Sequence, residues 1–310
     1  MDWSSLSPLS LIATMVVASI PIMLAATGEL VVEKSGVLNL GVEGMMITGA
    51  VAGFIAAVES DSHVIAVIAA AAAGSAMSLF FGVLTQFLKS NHVATGLALT
   101  IFGLGVSSLV GQNYTGVKPP QFPKPEFGPL GDIPILGKII FGYDYLVYVA
   151  FLTVLGVWLF LAYSRAGLIL RAVGENHDAA HALGYKVKSV RLLAIMFGGA
   201  AAGLGGAYLS LIRVPQWTDG MTAGAGWIAL AIVVFGSWRP WRVMAGALLF
   251  GGVTLLQLNL QAVGLEINAA YLSMAPYVIT ILVLVAISTK HSGMSANAPA
   301  SLGKPFHPSS

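Results

Sequence analysis

Cysteine is absent from this 310-residue chain. No disulfide brace and no cysteine-ligated metal is open to it. Charge is nearly as scarce: Asp, Glu, Lys and Arg make up 9% of the residues, against about a quarter in a soluble domain. A net charge of +2 leaves no footprint for nucleic acid. The nucleotide-binding pattern GxxxxGK followed by Ser or Thr is missing, so the chain does not hydrolyse nucleotide through a phosphate-binding loop. HExxH and GxSxG are missing too, and no pair of inward carboxylates stands out. Gly224-Ala225-Gly226-Trp227-Ile228-Ala229 fits GxGxxA in form, but no strand precedes it. An enzyme is therefore disfavoured, and no cofactor and no metal are expected. The apolar segments also lack the string of Asp, Glu and His that an ion-coupled carrier uses.

What the chain has is apolar length. Hydrophobic residues make up 57% of it, more than a water-soluble core requires, so it reads as an all-α, polytopic helical bundle of a bacterial-type inner membrane. Many of the 36 glycines sit inside the apolar runs, as they do where helices meet backbone to backbone in lipid. The first ten residues lack a positive region, so the first apolar stretch reads as a retained helix and not a signal peptide. Spans are expected at 9–30, 45–58, 64–88, 93–110, 144–163, 192–212, 243–260 and 271–288. The 31–44 stretch is too polar and Gly-rich for a plain span. The 223–236 stretch is short for one, so broken or re-entrant elements are expected there. The total is about eight or nine spans. Six prolines stiffen an outer loop at 111–143. Residues 1–290 form the membrane domain, and the Ser-, Ala- and Pro-rich tail 291–310 is expected to be disordered.

Orientation follows from the cations. Eleven Lys and Arg residues fall on one side of this scheme and four on the other: Lys118, Lys124, Lys138 and Arg213. The richer side is the cytoplasm. Its centre is the loop 164–191, which holds Arg165, Arg171, Lys186, Lys188 and Arg191 between two long spans. There Asn176 or Glu175 is placed to cap a short helix over 176–183, and Gly184 to end it. Such a helix is suited to dock into a groove on a soluble partner and pass on its movement. The plainer alternative is a solvated connector.

Three stretches carry a resemblance. Asp178-Ala179-Ala180, three residues and then Gly184 resemble the EAA-type loop of ATP-binding cassette (ABC) importer permeases. The longer RAVGENHDAAHALGYKV is similar to the coupling-loop sequence of the branched family for nucleosides, simple sugars and branched-chain amino acids. EKSGVLNLGVEGMMITGAVAGF at 33–54 and MTAGAGWIALAIVVFGSWRPWRVMAGALLFG at 221–251 resemble early and late segments of its nucleoside-type subgroup. The late segment departs from that pattern at Ala225 and Trp227, where a basic residue and a Phe are expected.

The resemblance implies a permease subunit with two cytoplasmic ATPases, a second permease (a paralogue or a copy) and an extracytoplasmic substrate-binding protein. Arg171, Glu175, Asn176, Asp178, Ala179, Ala180, Leu183 and Gly184 would then form the ATPase-coupling surface. The cargo would be a nucleoside or similar neutral solute, with a simple sugar or riboflavin as the alternative and a secondary carrier as the alternative of another class. Polar residues inside the spans are candidates to line the path: Asn39 and Glu43, four apart on one helical face, with Thr48, Thr95, Thr100, Gln257 and Asn259. Each has a plainer role in bonding nearby backbone.

Overall fold

The computed structural model describes residues 8–125, 127–130, 133, 136–262, 274–279, 281–282 and 297–307. Eleven helices are described before residue 263, and no strand is found among the described residues. They are α1 Pro8–Lys34, α2 Val42–Ser60, α3 His63–Gly82, α4 His92–Gly111, α5 Leu136–Ile140, α6 Tyr145–Tyr163, α7 Arg165–Glu175, α8 His177–Ala182, α9 Val187–Tyr208, α10 Ala225–Phe235 and α11 Pro240–Ala262. α3 and α9 each run on into one wider π turn, Val83–Phe87 and Leu209–Arg213. Polar side chains start the helices where the sequence punctuates its apolar runs. Asn91 accepts from the N–H of Val93 and Ala94, Asp144 from Leu146 and Val147, and Ser164 from Gly167. Each satisfies donors that a helix start leaves without an intrahelical partner.

Among the described residues, six helices are long and apolar enough to cross a membrane: Leu11–Lys34, Val42–Ser60, His63–Phe87, His92–Tyr114, Tyr145–Tyr163 and Val187–Arg213. The eight or nine expected from sequence are not reached by these six. α10, with 11 residues, is about 16 Å long, half the hydrocarbon thickness. α11, at 23 residues, lies along α1. Most of the expected 271–288 span lies outside the described residues.

α9 is the hub, packed against α1, α2 and α3. Lipid offers no hydrophobic gain for bringing helices together, so close packing must do it. The Gly199 and Gly203 spacing seen in the sequence does this. Gly199 lies against Gly74 and Ser78, and Gly203 against Gly49 and Ala70, too close for a Cβ at any of the glycines. The inner stretch of α1, from Ile20 to Val32, is buried among α9, α11, α10 and α6.

The connections gather at two ends. At one, Tyr114 donates to Glu59, His63 bonds the Gln121 carbonyl, Ser108 donates to Asp219, and Thr115 bridges to Trp217. At the other, the end of α1, the 164–191 loop and residues 297–307 meet: Gly303 N–H donates to the Gly36 carbonyl and Ser301 N–H to that of Gly174. This end holds Lys34, Lys89, Arg171 and Lys304, the cation-rich side that the sequence reading assigns to the cytoplasm. Residues 297–307 lie against the inner loops.

Candidate functional site

Two non-helical breaks, one before α2 and one before α10, meet inside the bundle. After α1 the chain dips back into the bundle through residues 35–41, where the Leu40 carbonyl accepts from Thr100 of α4 at 3.2 Å. α2 therefore starts inside the bundle. From the outer end, residues 214–224 enter without helix, turn through Ala223 and Gly224 with positive φ, and only then begin α10. Glu43, in the first turn of α2 and 5% exposed, joins the two breaks. Its carboxylate accepts from the Gly224 N–H at 2.8 Å, the Gly226 N–H at 2.7 Å and the Thr222 hydroxyl. These are the donors a helix N-terminus leaves open, and a negative charge there is favoured by the helix dipole. Non-helical backbone at this depth is tolerated because protein buries it.

A cavity of about 390 Å³ opens beside the second break. Pro21 and Ile22 of α1, Arg213 at the end of α9, Met221 to Ala223, and Phe250, Thr254 and Gln257 of α11 line it, with Tyr277 at its side. Its size is that of a pocket for a small ring compound. Arg213 supplies a guanidinium, one arm of which reaches the Ala18 carbonyl at 3.4 Å. The Tyr277 ring stands edge-on to Phe250, 6.0 Å away. The lining is thus aromatic and polar together, as an uncharged solute with a ring and hydroxyl groups requires. A larger recess of about 590 Å³ between α6, α7 and α9 is walled by Val157, Phe160, Ile169, Leu193 and Phe197. It suits hydrocarbon and not a polar solute.

The candidate path residues separate. Gln257 lines the cavity and Asn259 is not part of its wall. Asn39 and Glu43 do not share a helical face, because Asn39 precedes α2 in the non-helical stretch. Asn39 donates to Glu29 from its backbone at 3.3 Å and from its side chain at 3.4 Å, and accepts from the Gly41 N–H at 3.0 Å. Thr48 donates to the Gly44 carbonyl, Thr95 to the Ser90 hydroxyl and Thr100 to the Leu40 carbonyl. In these four the side chains close local backbone or neighbouring polar groups.

The short capped helix expected in the inner loop is α8, and a longer helix that was not expected, α7, precedes it. Asn176 is the N-cap of α8, accepting from Asp178 at 3.1 Å and Ala179 at 2.9 Å, and Gly184 leaves the helix with φ +89°. Asp178, Ala179 and Leu183 point outward, Leu183 with 78% of its surface free; Arg171, Glu175 and Gly184 are exposed as well. Ala180 faces the other way, 3% exposed, against Val173, Val187 and Phe306. The outward face of α8 is therefore narrower than the set named from sequence.

Three buried charged side chains escaped sequence reading. Arg191, counted there as one more inner cation, is fully buried. Its Nε donates to the Ser35 carbonyl at 3.1 Å, one terminal nitrogen to the Lys304 carbonyl at 3.1 Å, and the other meets His177 Nδ1 at 3.1 Å. Burial, and then the Arg191 charge, hold His177 below its usual pKa. Glu29 and Glu33 are each 1% exposed. Glu29 accepts from Asn39, and Glu33 accepts from the Trp238 indole N–H. An inward carboxylate pair does exist. The signal available in the sequence was their one-turn spacing on α1 inside an otherwise apolar helix.

A family profile described as branched-chain amino acid transport system / permease component matches residues 11–287. Among curated proteins, the candidate glucose ABC transporter permease TsgC13 of Haloferax volcanii is 40% identical over 81% of this chain and 78% of its own length. The guanosine ABC transporter permease NupQ of Bacillus subtilis is 33% identical over 95% of both chains. The nucleoside ABC transporter permease NupC of Lactococcus lactis is 32% identical over 92% of this chain and 96% of its own.

Proposed function

The chain belongs to the branched-chain amino acid transport system / permease component family, and from that premise we propose that it carries a nucleoside across a bacterial-type inner membrane. It is a multi-pass permease subunit of an ABC transporter, and ATP hydrolysis resides on a separate subunit. The observation that carries the transport path is the polar and aromatic cavity beside the break before α10. Discontinuous helices of this kind let exposed backbone and helix ends face a solute at mid-depth. Solute entering from the outer end would rest between Arg213, Gln257 and Tyr277. Closing of the ATPases would move α8, and the flanking α6 and α9 would pass that movement to the cavity wall as rigid bodies.

The nucleoside reading is favoured because the two relatives named for guanosine and nucleosides align along almost the whole chain. Glucose is the second reading, supported by the relative of higher identity over a shorter stretch. A second permease, a paralogue or a copy, would complete the channel, and an extracytoplasmic binding protein would deliver the solute.

The test is uptake by vesicles holding the chain with its ATPase and second permease, supplied with binding protein and either labelled guanosine or labelled glucose. ATP-dependent accumulation of guanosine, reduced in Tyr277→Ala and Gln257→Ala, is expected. Accumulation of glucose alone would replace the nucleoside reading. Unaltered uptake in both variants would remove the cavity from the path.

A further inference from the structure

α8 is six residues long, too short to hold itself helical or in place. On its outward side Asn176 caps it, and little else touches it. On its inward side lies the segment 297–307. Phe306, 6% exposed, joins Val173, Ala180 and Val187 in a small apolar cluster. Its ring stands edge-on to His177 at 5.4 Å and His181 at 5.2 Å. Polar contacts hold the rest of the segment down, among them Gly303 N–H to the Gly36 carbonyl at 3.1 Å and Lys89 to His307 at 2.9 Å. Ser301 donates from its N–H to the Gly174 carbonyl at 2.9 Å and from its hydroxyl to the Glu175 carbonyl at 3.2 Å. The Lys304 carbonyl takes Arg191 at 3.1 Å, and the Asn297 carbonyl takes Lys34 at 2.8 Å. One short segment thus touches α1, α7, α8 and α9 at once.

We infer that residues 297–307 are a strap that sets the position of α8, so that a partner's push on α8 reaches α1 and α9 without loss. The geometry distinguishes a brace from a plug. The strap occupies the buried face of α8, under Ala180, and leaves Asp178, Ala179 and Leu183 open to a partner. A blocking segment would cover those three. Phe306 is accordingly a positioning residue for coupling, with no contact to solute.

The inference rests on α8 being the coupling helix, and its tests include readouts that do not depend on transport. The chain is naturally free of cysteine, which permits a clean pair. G36C/S301C, whose β-carbons would stand 3.4 Å apart, is expected in the assembled transporter to form a disulfide on mild oxidation, with solute moved per ATP the same before and after oxidation. Failure to form the bond would mean the strap is not docked. Loss of uptake on oxidation would mean that it must leave during the cycle. Either result overturns the inference.

F306A is expected to lower solute moved per ATP by about tenfold, as a misplaced contact does, and to speed amide exchange over 177–183 alone. F306L should keep both near normal, and the oxidised cysteine pair should restore coupling in F306A. Normal coupling in F306A, or no rescue by the disulfide, would overturn the strap. Absence of ATP-driven uptake in the unmodified transporter would instead count against the function proposed above, while leaving the disulfide and exchange results to judge the strap.

Discussion

Arg191 shows how much one side chain can carry at the inner surface. It is buried and serves Ser35, Lys304 and His177 from three directions. Removing it leaves two carbonyls and an imidazole without that donor, and a hydrogen bond to a charged group contributes about 1.5–3 kcal/mol. Arg191→Ala should therefore lower the thermal midpoint of the purified protein, with Arg191→Lys falling between it and the native chain. Equal midpoints for all three would show these contacts to be idle.

His177 adds a pH dependence whose sign follows from its surroundings. Its folded pKa lies below the unfolded value, by burial first and the Arg191 charge second, with Lys304 and His307 acting in the same direction and Asp178 opposing. The folded chain then binds fewer protons than the unfolded one between those two values. Stability from this group is complete above the unfolded pKa, about 6.5, and is lost as pH falls through the folded one. His177→Gln should flatten the acid side of a midpoint-against-pH curve. An unchanged curve would assign the acid loss to other groups.

At the level of elements, α2 and α10 are each incomplete, and each supplies what the other lacks. α10 begins with free donors, and α2 begins with a carboxylate pointing at them. Glu43→Ala should loosen the start of α10 at a cost of about 1–3 kcal/mol for the donors left unpaired. Faster amide exchange over 222–228 would report it, and unchanged exchange there would count against the pairing.

α8 is tested differently, because its outer face is free. A Cβ at Gly184 meets nothing within 4 Å, so the burden of Gly184→Val is backbone strain at φ +89°. Ala179→Trp adds bulk at an exposed helical site without that strain. Both chains should fold and still pair with solute-loaded binding protein, yet move less solute per ATP. Normal uptake in Ala179→Trp would argue that the outward face of α8 docks nothing.

For the molecule as a whole, the energy source and the path are on different subunits. No group of three or more His, Cys, Asp or Glu placed to hold a metal is found among the described residues. The buried carboxylates Glu29, Glu33 and Glu43 are engaged with Asn39, Trp238 and the start of α10. Purified chain in vesicles, with a proton or sodium gradient and no ATPase, should not concentrate guanosine. Accumulation there would favour the secondary-carrier alternative.

Much of this was readable in the residues. Apolar runs long enough to cross lipid, cations gathered on one side, Asn176 ahead of a short helix and glycines four apart each obey local rules of length, charge and steric size. So the bundle and the capped inner helix are properties of the sequence itself. The partners across the bundle were not readable. Asn39 and Glu43 look like neighbours on one face, yet Asn39 turns to Glu29 and Glu43 to residues about 180 positions away. The same holds for Arg191 and for a polar tail that lies down under α8. Local rules act over a turn or two of chain, whereas a buried charge takes whichever donor or acceptor the packed helices bring to it. That choice belonged to the tertiary structure.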